Sequence, residues 1–247
     1  MEKLLQQAAE TIKKAKYLTV FTGAGISKES GIPVFRGSQG VYSHYDPSVL
    51  EITNYFRNTE EAWKGIKAIF YDFIGQAKPN LAHKILAEWE SKGLLRAVIT
   101  QNIDNLHSDA GDKTVIEFHG TTKNFVCTQC SSNFSLNEIS ITEKPPKCKK
   151  CNSLLKPDFV FFGEGIPSQA ASQSQMFASQ SDVHIVIGTT GEVYPASYIP
   201  IYAKNAGAKI IEINPDPSAY TNKITDIYLP MKATEAMEKL DSLVFSV

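Results

Sequence analysis

Residues 17–27 read Tyr-Leu-Thr-Val-Phe-Thr-Gly-Ala-Gly-Ile-Ser. The apolar, β-branched run 17–22 predicts a strand buried on both faces, and the glycines that follow predict a tight turn opening into a helix. Such a turn presents backbone N–H groups, which suits a nucleotide phosphate. The full dinucleotide fingerprint needs a third glycine at position 28, where Lys28 stands. No acid at the end of a second strand is evident for a ribose. An ordinary dehydrogenase is therefore disfavoured, and a plain strand-to-helix turn stays open for these residues taken alone.

Three further runs have the same character: 95–100, 183–187 and 209–213. Weaker strand candidates lie at 114–118 and 159–162. Between them come helical patterns: an amphipathic first helix within 1–17, then 81–91 with Asn80 as N-cap and a stop at Gly93. Two more follow, 196–206 stopping at Gly207 and 234–243 near the end. Strand alternating with helix predicts an α/β chain whose parallel sheet is covered on both faces. The four best strands run into Gly23-Ala24-Gly25, Gln101-Asn102-Ile103-Asp104, Gly188-Thr189-Thr190 and Asn214-Pro215-Asp216. Ligands of open α/β sheets bind outside the strand carboxyl ends. These four ends together describe a binding site.

Two stretches break the alternation. Residues 37–79 carry aromatics and short helical patterns with Asp46-Pro47 and Asn58-x-x-Glu61 as start signals. Residues 123–156 carry all four cysteines, as Cys127-x-x-Cys130 and Cys148-x-x-Cys151. Two such knuckles, 17 residues apart, predict a tetrahedral zinc site closed by four thiolates, hence structural. The polar ribbon around them needs that metal to fold. The 247-residue chain carries a net charge of −1, so no broad attraction to nucleic acid or a membrane surface is implied. No run is long enough to span a bilayer and no secretory signal is evident, so a cytoplasmic protein is the expectation.

Individual side chains leave alternatives open. Arg36 suits a phosphate and Phe35 a sugar face, or they serve as surface charge and packing. Asn102 and Asp104 suit a ribose or a carboxamide, or Asp104 caps a short helix ending near Gly111 while Asn102 satisfies loop backbone. His119, between Phe118 and Gly120, suits proton removal from a hydroxyl at neutral pH. His44, His83, His107 and His184 read as structural.

Taken together, these segments resemble the sirtuin family along nearly the whole chain. The resemblance is carried by GAGISKESGIPVFR (23–36), Pro79-Asn-Leu-Ala-His83, TQNIDNLH (100–107), FHG (118–120), the cysteine pairs, FVFFGE (159–164), GTTGEVYPAS (188–197) and INP (213–215). It implies a doubly wound, Rossmann-like large domain (1–36, 80–122 and 157–247). It also implies a small domain made of the helical insertion (37–79) and the zinc ribbon (123–156). The activity it implies is NAD-dependent protein lysine deacylation. The acyl oxygen attacks the ribose carbon as nicotinamide leaves, and His119 then deprotonates a ribose hydroxyl. The products are lysine, nicotinamide and O-acyl-ADP-ribose. By the same resemblance Gly23, Ala24, Ile26, Phe35, Arg36, Gln101, Ile103, Gly188, Thr189, Thr190, Asn214, Pro215, Asp216 and Ala233 belong to the NAD site. Asn102 and Asp104 serve both cofactor and catalysis. Val160, Phe161, Phe162, Gly163 and Glu164, with Gly191, Glu192 and Val193 opposite, flank the peptide as added β-strand.

The chain departs from the family pattern in places. Val34 stands where many members have aspartate, and Thr190 replaces a common serine. Members that remove acidic acyl groups carry Tyr-x-x-Arg in the helical insertion, where this chain has Lys67 and Phe70; an apolar group such as acetyl is the expectation, with Lys67 a possible attractant for an acid. The rival readings are mono-ADP-ribosyl transfer and a non-catalytic NAD-sensing module. An acyl-lysine peptide is the expected partner, with neither nucleic acid nor membrane, and a monomer is plausible.

Overall fold

The computed structural model describes residues 1–33, 40 and 46–246. Val34, Phe35, Arg36 and His44 lie outside the described residues. The main sheet is built from β1 (Leu18–Thr22), β2 (Leu95–Thr100), β3 (Val115–Glu117), β7 (Val183–Ile187), β8 (Lys209–Ile213) and β9 (Ile227–Leu229). Its spatial order is β3-β2-β1-β7-β8-β9, and every pairing is parallel. The order runs outward from β1 to one side and from β7 to the other, so the topological switch falls between these two strands.

The apolar runs are explained by burial on both faces. Leu18 and Val20 of β1 face a core formed with α1 (Glu2–Lys13), α4 (Leu81–Ser91) and α8 (Ala233–Phe245). Phe21 faces the opposite core, formed with α6 (Ser168–Gln180) and α7 (Ile199–Asn205). Helix α4 begins as its sequence demands: the Asn80 side chain accepts from Ala82 N at 3.0 Å, with His83 completing the box. The β1 strand starts at Leu18, because the Tyr17 and Lys16 N–H groups are taken by the Asp182 carboxylate. The 196–206 pattern divides into a 3-10 turn, Ala196–Tyr198, and α7 with Pro200 in its first turn.

A second, three-stranded antiparallel sheet has the order β5-β4-β6: Asn133–Ser135, Gly120–Cys127 and Leu155–Phe159. The strand expected at 159–162 therefore lies earlier. Past Phe159 the chain makes only a bridge from Phe162 to Glu51. Beside this sheet pack α2 (Ile52–Arg57), α3 (Thr59–Ile66) and a π-helical turn Lys67–Phe73. Trp63, Tyr55, Phe125, Phe134, Phe159 and Phe161 share one buried cluster there. The Asp46-Pro47 signal opens a 3-10 turn, with the Asp46 carboxylate accepting from Ser48 N at 2.9 Å. No helix among the described residues is long and apolar enough to cross a membrane.

Candidate functional site

A cavity of about 430 Å³ opens at the switch point, where the carboxyl ends of β1, β2, β7 and β8 meet the small sheet. Its floor is made of turns locked to each other by backbone. After β1 the chain forms a 3-10 helix, Ala24–Ser30, rather than an α-helix. Gly25 N–H donates to Gly188 O at 2.8 Å, and Gly188 N–H donates to Ile213 O at 3.0 Å. A Cβ on Gly25 would lie 2.6 Å from Gly188 Cα, and one on Gly188 would lie 2.4 Å from Ile26 N. Gly188 also has φ +66°. These glycines allow two turns to pass back to back at the edge of the cavity.

Gly23, Ala24, Gly188, Thr189, Thr190 and Asn214 line the cavity from the main sheet. From the β2 end come Gln101, Asn102 and Ile103. Gln101 Nε2 donates to Thr189 Oγ1 at 3.0 Å, joining two strand ends. Asn102, nearly buried, donates from Nδ2 to Gly23 O at 3.1 Å and to Ser27 Oγ at 3.2 Å. Asp104 sits as the helix-start reading allowed. One carboxylate oxygen accepts from Leu106 N at 3.0 Å, at the start of α5 (Leu106–Ala110), and the other accepts from Ser27 Oγ at 2.6 Å. Asp104 and Ile26 brace the lining from behind and do not form it. Pro215 and Asp216 are exposed next to Asn214, outside the lining. Ala233 is buried at the start of α8 within the main core, also away from the cavity.

His119 sits where the main sheet hands over to β4. Its ring lines the cavity, and Nδ1 is 3.0 Å from Gln101 O. A carbonyl oxygen can only accept, so the proton is on Nδ1 and Nε2 keeps its lone pair. Burial lowers the pKa of the imidazole below its ordinary 6.5, against the raising effect of the Gln101 carbonyl. A neutral ring with a fixed tautomer is the form a general base requires at neutral pH.

The opposite wall is Val160, Phe161, Phe162, Gly163 and Glu164. It is tied to His119 directly, since Val160 N–H donates to His119 O at 2.8 Å. It is also held by residues not singled out from sequence. Lys156 Nζ donates to Phe159 O and to Glu164 Oε2, each at 2.9 Å, and Glu164 Oε2 accepts from Phe161 N at 2.9 Å. The helical insertion adds Phe162 N–H to Leu50 O at 2.8 Å and Ile52 N–H to Phe162 O at 3.1 Å. Val193 lines the far side, with Gly191 and Glu192 just outside the lining. Phe70 lines the cavity and packs on Phe159 at 5.1 Å between centroids. Lys67, by contrast, is bonded to Asp72 at 2.8 Å and Glu143 at 3.0 Å, so its charge is already answered.

The other described histidines are structural in placement. His184 is buried within β7 with Nδ1 2.7 Å from Thr19 Oγ1; His83 and His107 are buried between α4 and α5 with ring centroids 4.9 Å apart. In the ribbon, the four cysteine Sγ atoms lie within 4.8 Å of one another. Contacts of 3.4, 3.6 and 3.7 Å link Cys127 to Cys151, Cys151 to Cys130 and Cys130 to Cys148. Bonds of about 2.3 Å to a tetrahedral zinc place sulfurs about 3.8 Å apart, so the cluster fits that ion. Backbone N–H groups of Cys130 and Lys150 point at Cys127 Sγ and Cys148 Sγ, each at 3.4 Å, as thiolates favour.

The Sir2 family model matches residues 23–195. NAD-dependent protein deacylase 2 of Pyrobaculum aerophilum is 43% identical over 233 residues, covering 94% of this chain and 92% of that protein. The NAD-dependent protein deacylase of Thermococcus kodakarensis is 43% identical over 250 residues, covering 96% and 94% respectively. Among solved structures, a Sir2 homolog–NAD complex is 40% identical with a TM-score of 0.90, covering 99% of this chain and 93% of that one. A Sir2–p53 peptide–NAD+ structure is 34% identical with a TM-score of 0.87, covering 96% of each chain. With identity at that level along nearly its whole length, and with a parallel sheet, a small antiparallel sheet and a four-cysteine cluster, this chain belongs to the Sir2 family, the sirtuins.

Proposed function

We propose that this protein removes acyl groups, acetyl foremost, from lysine side chains of proteins, consuming NAD and water and yielding nicotinamide and O-acyl-ADP-ribose. The observation that carries the reading is the placement of His119. Its ring lines the same cavity as the β1 and β7 turns and is backbone-bonded to the segment that would take the peptide.

In this reading NAD lies over the turns at 23–25 and 188–190, where N–H groups and hydroxyls replace the water around its phosphates. By the family resemblance, Phe35 and Arg36 contact the same cofactor. Asn102 holds the ribose and nicotinamide end, braced by Gly23 O and by Ser27, which Asp104 fixes from behind. The peptide enters as a strand between 160–164 and 191–193, so its backbone is read more than its side chains. The acyl-lysine then approaches the ribose, and His119 Nε2 accepts the ribose hydroxyl proton, a contribution of about 10²–10⁴-fold. Phe70 and Phe159 give the acyl end an apolar wall, and Lys67 is held by Asp72 and Glu143, which supports acetyl over an acidic acyl group. Zinc, held by the four cysteines, supplies folding stability to the ribbon and leaves no coordination position open. Four reduced cysteines suit the cytoplasm.

Acetyl-, succinyl- and longer acyl-lysine peptides incubated with NAD test the reading. Nicotinamide release that depends on the acyl peptide, fastest with acetyl, is the expected outcome. Release independent of any acyl peptide would contradict it.

A further inference from the structure

Strand β8 is apolar on its buried positions except at Glu212, which is 1% exposed. Three hydroxyls donate to its carboxylate: Ser218 and Thr221 to Oε1 at 2.5 and 2.9 Å, and Thr225 to Oε2 at 2.6 Å. All three belong to the connection between β8 and β9. A buried carboxylate is costly unless hydrogen-bonded, so it dictates where these three side chains lie.

Held in this way, the connection reaches under the turn that follows β7. Ala219 N–H donates to Thr190 O at 2.9 Å, and Tyr220 OH donates to Ser197 O at 3.0 Å. The Tyr220 ring lies so close beneath Gly191 that a Cβ there would be 2.7 Å from Cε2. Gly191 has φ +72°, and its N–H donates to Thr189 Oγ1 at 3.2 Å. The 190–193 turn is therefore supported at its start by Ala219 and in its middle by the tyrosine ring. Neither support touches the cavity.

We propose that Glu212 is a positioning residue for the peptide-binding turn: by gathering Ser218, Thr221 and Thr225 it sets Ala219 and Tyr220 beneath residues 190 and 191, and so fixes the edge against which the substrate strand pairs. The inference rests on the reading that this turn takes the acyl-lysine peptide. Glu212 itself meets neither peptide nor NAD.

Glu212→Leu, Glu212→Gln and wild type, compared in nicotinamide-release assays with an acetyl-lysine peptide and NAD varied separately, test it. The leucine removes both acceptor oxygens and with them all three hydrogen bonds. The glutamine keeps an Oε1 for Ser218 and Thr221 and offers an N–H to Thr225. The leucine variant should raise the peptide KM about tenfold or more while the NAD KM moves less than about threefold, and the glutamine variant should stay within about threefold on both. Partial unfolding would lower kcat without moving KM, so the KM split separates positioning from loss of folded enzyme. If the leucine variant does not fold, Tyr220→Phe is read the same way, with an expected rise of about threefold in peptide KM alone. An unchanged peptide KM, an equal rise for both substrates, or a glutamine variant as impaired as the leucine one would overturn the proposal. A wild type that releases no nicotinamide would overturn the functional reading instead, and this inference with it.

Discussion

His184 should make the fold lose stability in mild acid by an amount that can be worked out. The side chain is fully buried in a central strand, with Nδ1 on Thr19 Oγ1 and Nε2 without a partner. Burial pushes its pKa down to about 3. Above the unfolded value of 6.5 the ring is neutral in both states and adds no pH dependence. Below that value the unfolded chain takes up a proton that the folded chain refuses, so stability falls as pH falls, until the folded value near 3 is reached. The loss due to this one ring is about 1.4 kcal/mol at pH 5.5 and about 2.7 kcal/mol at pH 4.5. That is a large share of the ~5–15 kcal/mol that holds a typical domain folded. Urea unfolding of wild type and His184→Val at pH 7.5, 6.5, 5.5 and 4.5, at constant ionic strength, isolates the term. Replacing the ring leaves the Thr19 hydroxyl unpaired and shifts the whole curve, but that shift is constant with pH. Zinc release at low pH affects both proteins alike. The quantity of interest is the change in the difference between them, and the variant should gain on wild type by about 1.4 kcal/mol between pH 7.5 and 5.5. Curves that stay parallel to within about 0.5 kcal/mol would refute the reasoning.

Further outcomes follow from the site. His119→Ala should lower turnover by about 10²–10⁴-fold with NAD affinity changed less than about threefold, measured by nicotinamide release and calorimetric titration; near-normal turnover would remove the base assignment. Because burial holds the His119 pKa below 6.5, the acid limb of kcat/KM should have its midpoint below that value, activity falling as the ring gains a proton. A pH–rate profile with a midpoint above 6.5 would contradict this. Cys148→Ser should lose stoichiometric zinc and melt earlier, since a closed four-ligand site has no spare partner, and metal analysis decides it. Gly188→Ala places a Cβ 2.4 Å from Ile26 N at φ +66°, and should cost about 3 kcal/mol or more and weaken NAD binding; a melting temperature within about 1 °C of wild type would count against the packed-turn account.

Much of this was legible in the sequence because burial on both faces leaves an unmistakable mark. The strands at 95–100, 183–187 and 209–213 fall where predominantly apolar, β-branched runs place them, and β1 differs by one residue. The helix at 81–91 was signalled by Asn80 and Gly93. What was not legible has physical causes. β4 contains Thr121, Thr122, Lys123 and Asn124, so no apolar period marks it. Helix α6 is rich in serine and glutamine and has a weak apolar stripe. β9 is three residues long and shows no period at all. The cysteine spacing told of a cluster, since knuckle geometry is local. By contrast, Lys156 holding Glu164 and Glu212 gathering three hydroxyls are buried charges on strands. Their purpose appears only once the partners, distant in space until folding, are brought together. The same holds for Asn102 on Gly23 and Ser27, contacts that bridge more than seventy positions.

The most direct test of the account is the stoichiometry of one reaction. Purified protein, acetyl-lysine peptide and NAD are mixed, and nicotinamide, free lysine peptide and sugar product are counted together by mass spectrometry. The account predicts equal amounts of nicotinamide, deacetylated peptide and O-acetyl-ADP-ribose. ADP-ribose attached to protein with the peptide still acetylated, or NAD converted to its reduced form, would contradict it.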